Sequence, residues 1–210
     1  MYTETSYENS LIELLQGMGY SYVYGPSVER DYRSPLYEAE LEASLSRLNP
    51  SVPANGIADA LYKLHNFENG SLEQKNSVFM DYLQNGITVS FVENGEQRSD
   101  IVYLVDYKNR ENNSFIIANQ WTFVENSNKR PDLIIFLNGL PVVLMELKSP
   151  SRDQTDASEA YLQLRNYMHE IPSMFIYNAI LVMSDQAVSK AGSLSAEAVL
   201  LPVFRAGSVP

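Results

Sequence analysis

Apolar positions along the first 85 residues recur with a helical period, and after Gly86 the period shifts towards two. Residues 6–18 predict an amphipathic helix with Tyr7, Leu11, Leu14 and Leu15 on one face and Gly17 and Gly19 as its stop. Residues 38–48 predict a second helix closed by Asn49-Pro50, and residues 57–66 and 72–84 predict two more. Residues 89–92, 101–107 and 114–124 are rich in β-branched and aromatic side chains and predict strands. The densest β signal follows: residues 132–137, then Asn138-Gly139, then residues 140–148. Asn-Gly between two apolar runs is the strongest short hairpin cue. Residues 153–170 predict a long helix stopped by Pro172, and residues 174–183 a further buried strand. Strands followed by a helix that returns to a strand predict an α/β fold. Its mixed central β-sheet is flanked by helices, with the N-terminal helices as an additional layer or lobe.

Composition narrows the chemistry. Apolar residues make up 45% of the 210 residues and charged residues 20%, enough for a sizeable core. The chain has no Cys, and its two histidines, His65 and His169, stand far apart and receive no role. Disulfides, thiolate nucleophiles, Cys-based zinc sites and a Ser–His–Asp triad therefore fall away. No run reaches the roughly 18 apolar residues of a membrane span, and the opening MYTETSYENS has no basic segment ahead of an apolar one. The expectation is a cytoplasmic protein without a membrane partner.

The net charge of −11 is uneven: residues 1–100 carry 15 acids against 6 bases, and residues 101–210 carry 11 against 9. Phosphate contacts need Lys and Arg, so any surface for DNA is expected in the second half. The acidic first half is either solvated surface or a face for a basic partner.

Glu146 and Lys148 stand out because Val142, Val143, Leu144 and Met145 before them are continuously apolar, as in a strand buried on both faces. A period of two puts Glu146 and Lys148 on one face. Two ions there are costly unless they pair with each other at the strand end or bind a metal. Asp132 opens the partner strand and can converge on the same point, but only in one register. A strict two-residue turn at Asn138-Gly139 pairs Leu137 with Leu140, which puts Asp132 opposite Met145, on the wrong face. A three-residue loop, or one β-bulge, pairs Asp132 with Glu146 instead. A functional site thus predicts an irregularity in this hairpin.

Pro131-Asp132, thirteen residues, then Glu146-Leu147-Lys148 resembles the PD-(D/E)XK nuclease signature. Its surroundings are similar, in order, to the amino-terminal nuclease domain of the R subunit of type I restriction-modification enzymes. They comprise Asn119-Gln120, Arg130-Pro131-Asp132, Asn138-Gly139-Leu140-Pro141, Glu146 to Pro150, Ala160-Tyr161, Gln163 with Tyr167, Ile171-Pro172, Phe175, Tyr177-Asn178 and Ser184-Asp185. The similarity runs over residues 4–196.

The resemblance implies a PD-(D/E)XK core at residues 101–196, a helical part at 1–100 packed on it, and a poorly ordered tail at 197–210. It implies a Mg²⁺-dependent endonuclease in which Asp132 and Glu146, with the Leu147 backbone carbonyl, hold the ion. Lys148 would orient or activate the attacking water. Glu8 either supports the metal shell or is an exposed acid favoured near a helix N-terminus. Gln163 and Tyr167 share a helical face and either touch DNA, brace the site or edge the core. Arg130, Arg152 and Arg165 are phosphate contacts or solvated surface, and Trp121 is a core residue.

The implied partners are double-stranded DNA, the modification and specificity subunits of the restriction complex, and the motor domains of a longer R subunit. The chain has no G-x-x-x-x-G-K-[ST] loop, so ATP would act only through motor domains outside these residues. The chain is then an amino-terminal piece or a truncated form. Base readout is expected elsewhere, since no recognition-helix or zinc-finger signature occurs. The rival expectation is a non-catalytic docking module, or a free-standing nuclease of the same fold. A docking module would tolerate loss of Asp132, Glu146 or Lys148, and all three are present.

Overall fold

The computed structural model describes residues 4–148, 157–184, 188–195 and 203–205. The chain begins with α1 (Glu4–Gly17) and β1 (Ser21–Tyr24), followed by α2 (Glu38–Leu48), α3 (Ala54–His65) and α4 (Leu72–Asn85). Strands β2 (Ile87–Glu93), β3 (Glu96–Val102), β4 (Phe115–Asn119), β5 (Phe123–Val124), β6 (Asn128–Lys129), β7 (Leu133–Leu137) and β8 (Leu140–Leu147) come next. Helices α5 (Ala157–Glu170) and α6 (Pro172–Phe175) then lead to β9 (Ile180–Ser184), β10 (Val188–Gly192) and β11 (Val203–Arg205).

Among the described residues, seven strands form one mixed sheet in the order β1-β4-β7-β8-β9-β10-β11. The β1–β4 and β8–β9 pairs are parallel, and the other neighbours are antiparallel. Helix α1 covers one face, where Tyr7 and Ile12 pack on Ile117, Leu133 and Leu147. Helices α5 and α6 cover the other, where Leu164, Tyr167, Met174 and Phe175 pack on Ile134, Phe136 and Leu144. Helices α2 to α4 and the β2–β3 hairpin bury a further core that reaches the sheet at Leu140 and Val142. This is the layered α/β arrangement that the periodicity predicts.

The hairpin between β7 and β8 places the site. Asn138 and Gly139 hold positive φ of 52° and 85°, the two-residue turn that Asn-Gly favours. The turn is buried beneath α2. Asn138 Nδ2 donates to the Leu104 carbonyl at 2.9 Å, and its Oδ1 accepts from the Ser114 amide at 2.7 Å. A Cβ on Gly139 would lie 2.5 Å from the Leu41 amide nitrogen, so backbone meets backbone there. Beyond the turn, Leu137 pairs with Leu140 and Phe136 with Pro141, but Ile135 pairs with Val143. Val142 is thus left without an opposite residue in β7. Of the two irregularities that would bring Asp132 opposite Glu146, a three-residue loop or one β-bulge, the hairpin has the bulge.

Other elements depart from expectation for identifiable reasons. On α1, Leu14 is 59% exposed, and the inward face runs through Tyr7, Glu8 and Ile12. Residues 101–107 are not one strand. Strand β3 ends at Val102 after opening at Glu96, and an Asn94-Gly95 turn joins it to β2. Its side chains Glu96 to Asp100 are all exposed, so no hydrophobic alternation marks it. Residues 114–124 break at Gln120, whose φ is 54°, into β4 and β5, with Trp121 fully buried between them. Residues 174–183 divide into α6 and β9, because Pro172 starts a helical turn and a short apolar run does not by itself distinguish helix from strand. Edge strand β1 was not predicted; Tyr22 and Tyr24 are exposed and it carries little apolar signal. Of the tail expectation, residues 197–202 and 206–210 lie outside the described residues, and residues 203–205 form β11. The start of the helix expected at 153 also lies outside them.

Gly139→Ala is expected to cost about 2–3 kcal/mol, from the positive φ and the clash with α2. Gly17→Ala, at the exposed end of α1 with nothing within 4 Å of its added Cβ, is expected to be neutral or to stabilise by up to about 1 kcal/mol. Urea denaturation of both variants checks the contrast.

Candidate active site

The bulge changes which way every following side chain of β8 points. Before it, Pro141 lies opposite Phe136; after it, Leu144 and Ile134 pair and both pack against α5. Continuing that register, Asp132 comes opposite Glu146, and Glu146 and Lys148 face α5. Without Val142, Met145 and Leu147 would take that face.

Four side chains meet there. Glu146 is 2% exposed and the Lys148 side chain 17%. Lys148 Nζ donates to Glu146 Oε1 at 3.1 Å and to Gln163 Oε1 at 2.7 Å. Gln163 Nε2 donates to Glu146 Oε1 and, at 2.9 Å, to Tyr167 Oη. The four-residue spacing of Gln163 and Tyr167 on α5 brings them onto one helical face. The amide of Leu147 donates to Asp132 Oδ2 at 2.7 Å, and the amide of Lys148 to the Ser184 carbonyl at 2.8 Å. The ends of β7, β8 and β9 are thereby tied together at the carboxylates. Glu146 Oε1 takes both side-chain donors, while the buried Oε2 accepts no hydrogen bond.

The electrostatics follow from that crowding. Burial first, and the neighbouring Asp132 charge second, push the Glu146 carboxyl up to about 8, with Lys148 working in the opposite direction. Tyr167 is pushed up to about 12 by burial and then by the Glu146 charge. A buried carboxyl that resists ionisation beside another acid, with one oxygen unpartnered, makes this cluster the candidate functional site.

The remaining candidates lie apart. Glu8 on α1 is 8% exposed and accepts from Asn119 Nδ2 at 2.6 Å; Asn119 Oδ1 in turn accepts from Tyr22 Oη at 2.9 Å. Among the described residues, no three His or acidic side chains converge as a metal cluster. Arg130 and Arg165 are exposed, and Arg152 lies outside the described residues. Beside Gln163 and Tyr167 an open cavity of about 340 Å³ is lined by Lys129, Asn166, His169 and Glu170. Lys129 pairs with Glu170 at 2.5 Å and lies 5.6 Å over the Tyr167 ring. The Tyr22–Asn119–Glu8 chain is not legible in the sequence, because β1 carries little apolar pattern and Asn119 stands out only as part of a motif.

A model of the type I restriction enzyme R protein N terminus matches residues 1–199. The chain belongs to that family. It is 33% identical over 207 residues to the HindI type I restriction enzyme endonuclease subunit of Haemophilus influenzae, covering 94% of this chain and 20% of that one. It is 34% identical over 197 residues to a Methanocaldococcus jannaschii chain named as a type I restriction enzyme endonuclease subunit, MjaIXP, covering 89% and 19%. The chain thus spans about a fifth of the length of these curated relatives. Among the described residues, no helix of this family member is long and apolar enough to cross a membrane.

The raised Glu146 carboxyl has a testable consequence. The folded protein holds a proton that the unfolded chain releases near the ordinary value of 4.5, so metal-free stability falls as pH rises from there to about 8. Glu146→Gln removes this slope. In chelator-treated protein the variant is expected to match wild type near pH 4.5 and to exceed it at pH 8 by on the order of 1–3 kcal/mol. Equal stability differences at both pH values, read by urea denaturation, would contradict the assignment.

Proposed function

We propose that this chain is the DNA-cleaving part of a type I restriction enzyme R subunit, a Mg²⁺-dependent endonuclease with a PD-(D/E)XK active site. The observation that carries this reading is the convergence of Asp132 and Glu146 across the bulged hairpin, beside Lys148. Membership of the R-protein family and the endonuclease names of its relatives support it.

The residues fit a divalent cation. Burial and the Asp132 charge both oppose ionisation of Glu146, so the two acids form a pair that a cation would relieve. The donors are all oxygens, Asp132, Glu146 and the Leu147 carbonyl, and so few protein ligands suit Mg²⁺, which keeps part of its water. Glu8 stays with Asn119 in this reading. When bound, the ion would supply Lewis acidity towards the phosphate and a more acidic water.

The chain's own groups do the rest. Lys148 Nζ, held by Glu146 Oε1 and Gln163 Oε1, offers a fixed positive charge to the phosphate as negative charge grows on its oxygens. Gln163 bonds both the Lys148 ammonium and the Glu146 carboxyl and is itself anchored to Tyr167, so it fixes the geometry of that pair. Asp132 keeps its orientation through the Leu147 amide. None of these groups reads a base, so sequence choice would belong to a specificity subunit. ATP-driven motion would belong to motor domains of the longer R subunit, and modification subunits would complete the complex in the cytoplasm. Exposed Arg130 and Arg165 are available to DNA phosphates.

In the assembled restriction enzyme, Asp132→Ala, Glu146→Ala and Lys148→Ala are each expected to lower DNA cleavage by a factor of about 10² or more while the chain still folds. Chelation of divalent ions is expected to abolish cleavage in wild type. A variant that cuts at the wild-type rate overturns the role of that residue; wild-type cutting by all three would leave a docking module.

A further inference from the structure

The bulge that brings the acids together needs something to hold it. An unbroken two-residue hairpin would satisfy Asn138-Gly139 and the flanking strand pairing equally well, and would place Asp132 opposite Met145. Val142, the extra residue, has no opposite number in β7, so its backbone groups must find partners elsewhere. Its carbonyl accepts from the Ala179 amide at 2.8 Å and from Asn178 Nδ2 at 3.3 Å. The second Asn178 Nδ2 hydrogen reaches the Ile180 carbonyl at 3.0 Å, at the point where β9 begins and Ile180 pairs with Val143. One side-chain amide therefore bridges the bulged residue of β8 and the first residue of its parallel neighbour.

Asn178 sits in a buried turn whose main-chain carbonyls are bonded separately from its side chain. It is 1% exposed. Its backbone carbonyl accepts from Asn76 Nδ2 on α4 at 2.8 Å, and the same amide also holds the Ile176 carbonyl at 2.9 Å. The Val142 carbonyl that the Asn178 side chain holds lies four residues before Glu146 along β8.

We infer that Asn178 is a positioning residue: it locks the bulge at Val142 and thereby sets the register that puts Asp132 opposite Glu146 and turns Glu146 and Lys148 towards α5. This rests on the nuclease reading only for its functional consequence, because the register is observable without any activity. An apolar side chain of equal size at 178 fills the space but removes both donors, leaving the Val142 carbonyl to the Ala179 amide alone and the unbulged pairing competitive. Asn76→Leu is the control, since it strips the same turn of hydrogen bonds without touching Val142.

The experiment is nuclear magnetic resonance on the 210-residue chain, reading cross-strand proton contacts, together with Mn²⁺ titration by calorimetry. In wild type, contacts joining Ile135 to Val143 and Leu133 to Met145 are expected. In Asn178→Leu and Asn178→Asp those contacts are expected to weaken or shift by one residue, and Mn²⁺ affinity to fall at least tenfold. Asn76→Leu is expected to lose stability while keeping both. Native contacts and native Mn²⁺ affinity in either folded Asn178 variant overturn the inference and leave the nuclease reading intact. If neither variant folds, wild type decides: through-bond coupling from the Ala179 amide and Asn178 side chain to the Val142 carbonyl supports the clamp, and its absence overturns it. Absence of Mn²⁺ binding in wild type, with register lost in Asn178→Leu, sinks the metal site but not the clamp.

Discussion

A β-strand has only two faces, and one inserted residue exchanges them for everything that follows. In the β7–β8 hairpin that residue is Val142. The turn at Asn138-Gly139 is pinned under α2 and cannot slide, and the apolar residues of β7 are committed to their faces by α1 on one side and α5 on the other. With both ends fixed, the extra residue is the only freedom left. It decides whether the acid at the end of β8 meets Asp132 or meets the α1 layer. The pairing of Lys148 with Gln163 and the anchoring of Gln163 by Tyr167 depend on that same choice.

The resulting site is electrostatically uncomfortable. Glu146 is taken out of water and set beside another carboxyl, and the Lys148 ammonium offsets only part of the cost. A core selected for stability alone would replace the group with an apolar one of similar size. Its presence makes sense if the discomfort is relieved by a cation brought in with the substrate, which is the role proposed for Mg²⁺. Gln163 fits this account as a neutral clamp: it bonds Oε1 together with Lys148 and leaves Oε2 without a partner.

Much of this was legible in the chain itself. Charged residues at the end of an apolar strand single out Glu146 and Lys148, and the residue count back from an Asn-Gly turn shows that Asp132 meets Glu146 only through a bulge or a longer loop. Gln163 and Tyr167 could be placed on one face by spacing alone. What stayed hidden shares a physical cause. Strands β1 and β3 are edge or solvent-facing, so their polar and exposed residues carry no alternation, although Asn94-Gly95 did signal the second hairpin. Apolar residues 174–177 gave hydrophobicity without a period long enough to separate helix from strand. Asn178 works through a single side-chain amide on a backbone carbonyl far away in sequence, and no periodic pattern encodes such a contact.

Anomalous diffraction from a crystal of this chain soaked in Mn²⁺ tests the central claim most directly, because it locates the ion and the strand register in one experiment. The account expects one peak touching carboxylate oxygens of both Asp132 and Glu146, in a hairpin with Val142 bulged. A peak elsewhere, or an unbroken β7–β8 register with Asp132 opposite Met145, would contradict it.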